Sequence, residues 1–287
     1  MTFYFGAHMP GTKILNSLSE IQDLGGNFMQ IFVSNPYGKI NPNLLAKYAE
    51  IGPEIKQYCK ENDMKIVIHS PYTLNFGIDC EHKPQKLELI FNELQVAHMI
   101  GAIGCVIHVG KHLETSVTES KNWMKYYIDQ MIDYIKINKL KSKIILETSA
   151  GQGTELFPSL DNSMQELIEF YNQFSKTSKK YFKLCIDTCH IFVAGYDIRK
   201  KAQVKRLFQQ LLEEEILENV AVIHFNDSKK PLGSRVDRHE AIGYGSIGPN
   251  GLSEILKLAK KYSIPCVLET PDNSYINEIP WIANIIN

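Results

Sequence analysis

The chain has 287 residues, 44% of them hydrophobic and 22% charged, with a formal net charge of −1. That length suits one eight-fold β/α barrel and buries enough surface to need no disulfides. The near-neutral charge excludes a generic basic DNA-coating protein, although a local cationic patch or bound cations can still attract nucleic acid.

No apolar run approaches the roughly 18 residues of a membrane span. The N-terminus opens on Phe3-Tyr4-Phe5 with no basic stretch ahead of it, so no signal peptide is expected. The expected location is intracellular: cytoplasmic, or the nucleus or virion if the source is eukaryotic or viral.

The first predicted strand, Phe3 to Ala7, ends at His8, and the second covers Asn27 to Val33. Turn residues follow in Ser34-Asn35-Pro36-Tyr37-Gly38. A helix is predicted over about Asn43 to Asn62. The third strand ends at His69 and leads into the aromatic loop Ser70-Pro71-Tyr72-Thr73-Leu74-Asn75-Phe76-Gly77. Leu87, Ile90, Leu94, Ala97 and Met99 give helical spacing over Pro84 to Ile100, stopped by Gly101.

The fourth strand ends at His108, a helix spans Glu119 to Asn138, and the fifth strand ends at Glu147. After it, Thr148-Ser149-Ala150-Gly151-Gln152-Gly153-Thr154 is a small-residue loop that lets a ligand approach the backbone closely. A helix over Asn162 to Phe174 precedes the sixth strand, Leu184-Cys185-Ile186-Asp187, which runs into a turn carrying His190. Then come a helix over Lys200 to Leu217, a seventh strand ending at His224, and a long loop to about Pro249. A helix over Leu252 to Lys261, an eighth strand ending at Glu269, and a closing helix over Asn277 to Ile286 complete the chain.

From His69 onward the strand ends follow one another at intervals of 39, 39, 40, 37 and 45 residues, each interval holding one strand and one helix. Right-handed βαβ crossovers repeated eight times close a parallel barrel. The expected fold is therefore α/β, a single (β/α)8 barrel over residues 1–287 as one domain, with its active site at the C-terminal ends of the strands. Of the six cysteines, Cys105, Cys185 and Cys266 fall inside predicted strands, where a thiol behaves as a small apolar group. No disulfide is expected.

Six strand ends thus carry His69, His108, Glu147, Asp187, His224 and Glu269, and two loop motifs add His190, Asp237 and His239. A lone histidine is ordinarily a satisfied core residue. Four carboxylates crowded on one rim, however, repel and lose solvation unless cations join them. Imidazole with carboxylate and no thiolate suits Zn²⁺, with Mn²⁺ or Fe²⁺ as alternatives. Nine ligands exceed one ion and, with a bridging carboxylate, serve three. Three divalent ions leave such a site net positive, which favours a phosphodiester.

The motifs are Phe5-Gly6-Ala7-His8, His69-x-x-Tyr72-x-x-Asn75, His108-x-Gly110, Glu147-Thr148-x-Ala150-Gly151-Gln152-Gly153, Asp187-Thr188-Cys189-His190, His224-x-Asn226-Asp227-Ser228-Lys229, Asp237-Arg238-His239 and Glu269-Thr270-Pro271. On these the sequence resembles the endonuclease IV family of apurinic/apyrimidinic endonucleases along essentially its whole length.

The resemblance implies a first zinc on His69 and His108, a second on Asp187, His224 and Glu269, Glu147 bridging the two, and a third on His190, Asp237 and His239. Mn²⁺ is an alternative at one site, and Glu147 and Glu269 are the catalytic carboxylates. It further implies attack by a bridging hydroxide on the phosphorus 5′ of an abasic site in double-stranded DNA. The products would be a 3′-hydroxyl and a 5′-deoxyribose phosphate, and blocked 3′ ends would be trimmed. The working unit is expected to be a monomer.

DNA contacts are expected from Tyr37, Tyr72, Lys111, Lys229, Arg235 and Arg238. Tyr37 stands where bacterial relatives commonly carry arginine, and Thr73 where leucine is typical. The competing readings are a xylose-isomerase-like sugar isomerase or epimerase, and a protein that binds abasic DNA without cutting it.

Overall fold

The computed structural model describes residues 2–38, 40–80, 84–271 and 273–286. The short apolar runs form β1 (Phe5–Met9), β2 (Phe28–Ile31), β3 (Lys65–His69), β4 (Cys105–Ile107), β5 (Ile144–Glu147), β6 (Phe182–Asp187) and β7 (Val220–His224). Two residue pairs outside the barrel, β8 (Asp227–Ser228) and β9 (His239–Glu240), form an antiparallel ladder, and β10 (Cys266–Leu268) completes the barrel. The barrel closes in the order β1-β10-β7-β6-β5-β4-β3-β2, every pairing parallel.

Around it run α1 (Ile14–Asp23), α2 (Leu44–Glu61), α3 (Gln85–Ile100), α4 (Val117–Ile137), α5 (Gln165–Asn172), α6 (Thr188–Ala194), α7 (Lys201–Glu213), α8 (Pro249–Tyr262) and α9 (Tyr275–Ile286). None of the described helices is long and apolar enough to cross a membrane.

Period two sorts each strand between two environments. Phe28, Val67, Val106, Ile145, Cys185, Val222 and Val267, one from each of seven strands, pack on one another as a separate buried cluster that fills the barrel. Alternate residues such as Ile66, Ile68, Ile107, Leu146 and Leu268 face the helices in the main core. On β1 the interior position is Gly6, where a Cβ would stand 1.7 Å from the Phe28 carbonyl oxygen, so only glycine lets β1 and β2 approach. Two residues beyond this apolar plug come His8, Gln30, His69, His108, Glu147, Asp187, His224 and Glu269, one per strand.

Several elements differ from the sequence expectation. α1 was not predicted. Its buried positions Ile14, Leu18 and Ile21 have helical spacing, but Lys13 at its N-cap makes no side-chain capping bond. The expected turn after Asp187 is α6, all seven of whose residues are buried. A helix with no polar face shows no amphipathic period. Asp187 caps it, its Oδ1 accepting from the His190 amide at 2.8 Å. The helix expected to reach Leu217 stops at Glu213, with Glu215 at φ 55° breaking the run before a 3-10 turn at Leu217–Asn219. The long loop after β7 contains the β8–β9 ladder.

Candidate metal centre

The strand-end side chains converge on a cavity of about 270 Å³ at the mouth of the barrel, lined among others by His8, Phe32, His69, Tyr72, His108, Glu147, His190, Asp237, His239 and Glu269. Glu147 lies at its floor. Oε2 is 3.5 Å from His69 Nε2 and 3.1 Å from His108 Nε2, and Oε1 is 2.8 Å from His224 Nδ1 and 3.4 Å from His190 Nδ1. His224 Nδ1 also stands 3.1 Å from Glu269 Oε2 and 3.8 Å from Asp187 Oδ2. At the outer edge Asp237 reaches His190 Nε2 at 3.2 Å and His239 Nε2 at 3.1 Å. All nine residues picked from the sequence thus meet, in overlapping groups of three and four.

The hydrogen bonds on the far sides of the rings decide what these contacts are. His69 Nδ1 donates to the Ser70 carbonyl at 2.7 Å, His190 Nδ1 to the Thr148 carbonyl at 2.9 Å, and His239 Nδ1 to the Glu269 carbonyl at 3.1 Å. His224 Nε2 donates to Gln30 Oε1 at 2.8 Å. A ring that spends its N–H outward presents a lone pair inward. Those lone pairs face carboxylate oxygens, and two of the buried atoms, Glu147 Oε2 and His239 Nε2, have no hydrogen-bond partner. Acceptor against acceptor is repulsive unless a proton or a metal ion lies between. Metal bonds of about 2.1 Å at a tetrahedral angle separate two ligand atoms by about 3.4 Å. The observed 3.1–3.6 Å separations in the outer group fit that spacing, so the residues present fit divalent ions.

Without metal, burial and neighbouring charges set the protonation of the cluster group by group, and burial pushes the His69 imidazole down. Burial works against ionising Glu147, but His224, His108 and His190 outweigh it and hold the carboxyl well below its usual range. Burial is likewise overcome at Glu269 by His224, and at Asp237 by His190 and His239. At Asp187 burial wins and pushes the carboxyl up. His190 sits well above the usual imidazole value because Asp187, Asp237 and Glu147 override its burial. His239 is raised to about 9, where Asp237 and Asp187 likewise outweigh burial. Metal binding must displace such protons.

A sequence profile described as xylose isomerase-like TIM barrel matches residues 18–285. A Clostridium beijerinckii protein named probable endonuclease 4 is 32% identical over 289 aligned residues, covering 98% of both chains. An Acanthamoeba polyphaga mimivirus protein named putative endonuclease 4 is 33% identical over 286, covering 94% of this chain and 86% of its own. The chain belongs to the endonuclease IV family. The crystal structure of endonuclease IV from Thermus thermophilus shares the fold, with a TM-score of 0.73 at 24% identity over 99% of this chain and 97% of that one. A D-tagatose 3-epimerase-like protein shares it as well, at 0.70 and 17% over 99% and 98%. Fold alone therefore does not choose between endonuclease IV and sugar chemistry.

The expected DNA-contacting residues all lie on loops after barrel strands, hence on the same rim as the candidate ligands. Tyr72 is 55% exposed and packs edge-on against Phe32, beside the His69 and His108 rings. Tyr37 is 78% exposed on the loop after β2 and does not line the cavity. Lys111 pairs with Glu155 at 3.3 Å, and Lys229 lies 3.9 Å from Glu240. Arg235 and Arg238 stand on the long loop after β7, and the Arg238 guanidinium donates to the Asp237 carbonyl at 2.6 Å.

Sequence reasoning left out Gln30, and it quoted Thr148 and Asn226 within motifs without assigning them a role; all three hold ligand residues. Gln30, on β2, touches His8, His224 and Glu269. Asn226 donates to Asp187 Oδ2 at 2.8 Å and accepts from the Glu269 amide at 2.8 Å. Thr148 Oγ1 accepts from the Asp187 amide at 2.9 Å. Gln30 occupies the same strand position as the ligands, and its place two residues after Phe28 was the available signal.

Proposed function

We propose that the chain is a DNA repair endonuclease that hydrolyses the phosphodiester 5′ to an abasic site in duplex DNA, leaving a 3′-hydroxyl and a 5′-deoxyribose phosphate, and that trims blocked 3′ ends at the same centre. Membership of the endonuclease IV family makes it a metal-dependent hydrolase that cleaves DNA. The observation that carries the finer reading is the set of ring nitrogens of His69, His190, His224 and His239 turned toward the carboxylates of Glu147, Asp187, Asp237 and Glu269.

His69, His108 and Glu147 would hold one zinc ion, Asp187, His224 and Glu269 with Glu147 a second, and His190, Asp237 and His239 a third, with Mn²⁺ as an alternative at one. Such ions supply Lewis-acid stabilisation of charge at phosphorus and a nucleophilic hydroxide at neutral pH. Glu147, shared between two groups, fixes their spacing. The backbone carbonyls behind His69, His190 and His239 fix those rings before substrate arrives. Tyr72 and Tyr37 offer aromatic faces at the duplex while the abasic sugar is turned out, and Lys111, Lys229, Arg235 and Arg238 meet phosphates. We infer a monomeric enzyme.

The test is incision of a duplex with one tetrahydrofuran abasic analogue, together with metal analysis. A cut 5′ to the analogue and about three divalent ions per chain are expected. Tetrahydrofuran excludes β-elimination, so cutting there means hydrolysis. Tight binding of that duplex without incision by the zinc-loaded protein would reject the reading.

A further inference from the structure

Six barrel strands present a candidate metal ligand above the apolar plug; β1 and β2 present His8 and Gln30 instead, and these two are joined. Gln30 is fully buried. Its Nε2 is 2.5 Å from Glu269 Oε1 and 3.0 Å from His8 Nδ1, while its Oε1 is 2.8 Å from His224 Nε2. An ionised carboxylate selects the NH2 end of an amide, since the carbonyl end would repel it. The amide therefore donates to Glu269, and its second N–H meets His8 Nδ1. At 3.8 Å from Glu269 Oε1, His8 Nδ1 is too distant to donate to that carboxylate itself. His8 Nδ1 must then accept, so the ring proton sits on Nε2.

Nothing among the described residues accepts from His8 Nε2. The ring packs on Phe32 at 4.6 Å, its side chain is 20% exposed, and it lines the mouth cavity beside Glu269. His8 also lines a second cavity, with Met9, Pro10, Gly11, Phe32 and Lys47. The residue thus borders both the candidate metal centre and an adjoining groove.

We propose that His8 is a substrate-binding residue, locked by Gln30 as the tautomer whose Nε2–H donates to a non-bridging oxygen of the phosphate under attack. This rests on the endonuclease reading above. Nine residues serve the metals; His8 would be a contact to substrate made by a strand that supplies none. Its role is hydrogen-bond donation. Gln30 is the positioning residue.

The experiment compares the zinc-loaded wild type with His8→Phe and His8→Gln. His8→Phe keeps a flat ring against Phe32 without the donor, and His8→Gln restores an N–H. The expected result is a fall in kcat/KM on the tetrahydrofuran duplex of about 10- to 100-fold for His8→Phe, the range of one hydrogen bond to a charged acceptor. His8→Gln should recover part of it, and metal content and melting temperature should be unchanged in both. Affinity of the zinc-loaded protein for inorganic phosphate, measured by calorimetry, should fall for His8→Phe in the same order. Wild-type incision by His8→Phe, or loss of metal in step with loss of rate, would overturn the proposal. If the wild type leaves the duplex uncut, the functional reading fails instead, and the phosphate measurement still judges His8.

Discussion

Glu147 is the carboxylate on which the rest of the centre leans, with four imidazoles within 3.5 Å of its two oxygens. His190 by contrast faces outward to Asp237, with its back to the Thr148 carbonyl. The two positions should therefore fail differently. His190→Ala is expected to lose about one ion of three and to slow incision beyond the roughly 10- to 100-fold cost of losing a supporting partner. Glu147→Gln removes a ligand common to two groups, so metal analysis should show about two ions weakened. Equal losses in the two variants would count against a shared carboxylate.

At the scale of elements, buried carboxylates hold the loops. Glu93 on α3 is fully buried and bonded to the Ser34 hydroxyl, at the root of the loop that carries Tyr37. Burial pushes its carboxyl up to about 8, against the Ser34 bond. A raised folded value contributes stability that is complete below the ordinary carboxyl range and is lost as pH rises through about 8, at about 1.4 kcal/mol per pH unit in between. Glu93→Gln should accordingly have a higher denaturant midpoint than the wild type at pH 8, with the gain shrinking toward pH 5. Asp227 on β8 accepts from the amides of Ser228, Gly243, Gly245, Ile247 and Gly248, fixing the loop that lifts Tyr244, 85% exposed, above the rim. Asp227→Ala strands those amides. It is expected to cost roughly 3 kcal/mol and to speed hydrogen exchange at 243–248.

These supports mark the limit of sequence reading. The barrel and the convergence of the nine strand-end and loop residues were legible because strands buried on both faces read as unbroken apolar runs, with the polar residue at the end standing out. α6 is buried on every side and has no period to detect, and α1 has no capping signal. Asn226, Gln30 and Glu93 act through partners distant in the chain: 43 residues for Asn226 and Glu269, 194 for Gln30 and His224, 59 for Glu93 and Ser34. Spacing cannot reveal such pairings.

For the whole molecule, a net charge of −1 is compatible with a local cationic cluster. Strand direction gathers Lys229, Lys230, Arg235 and Arg238 on loops of the face that carries the cavity. Affinity for an abasic duplex should therefore fall steeply with salt despite the neutral total. Replacing Lys229 and Arg238 together by Ala should reduce the slope of log affinity against log salt by about two. An unchanged slope would place the duplex elsewhere. The carboxylate common to two of the groups also makes filling the centre a linked process. His69, His108 and Glu147, if they hold an ion, would compete with protons on the neighbouring imidazoles, so binding there would alter the affinity for the next ion, and the second would alter the first by the same factor. Zinc uptake would then be cooperative in one sense or the other and accompanied by acid release.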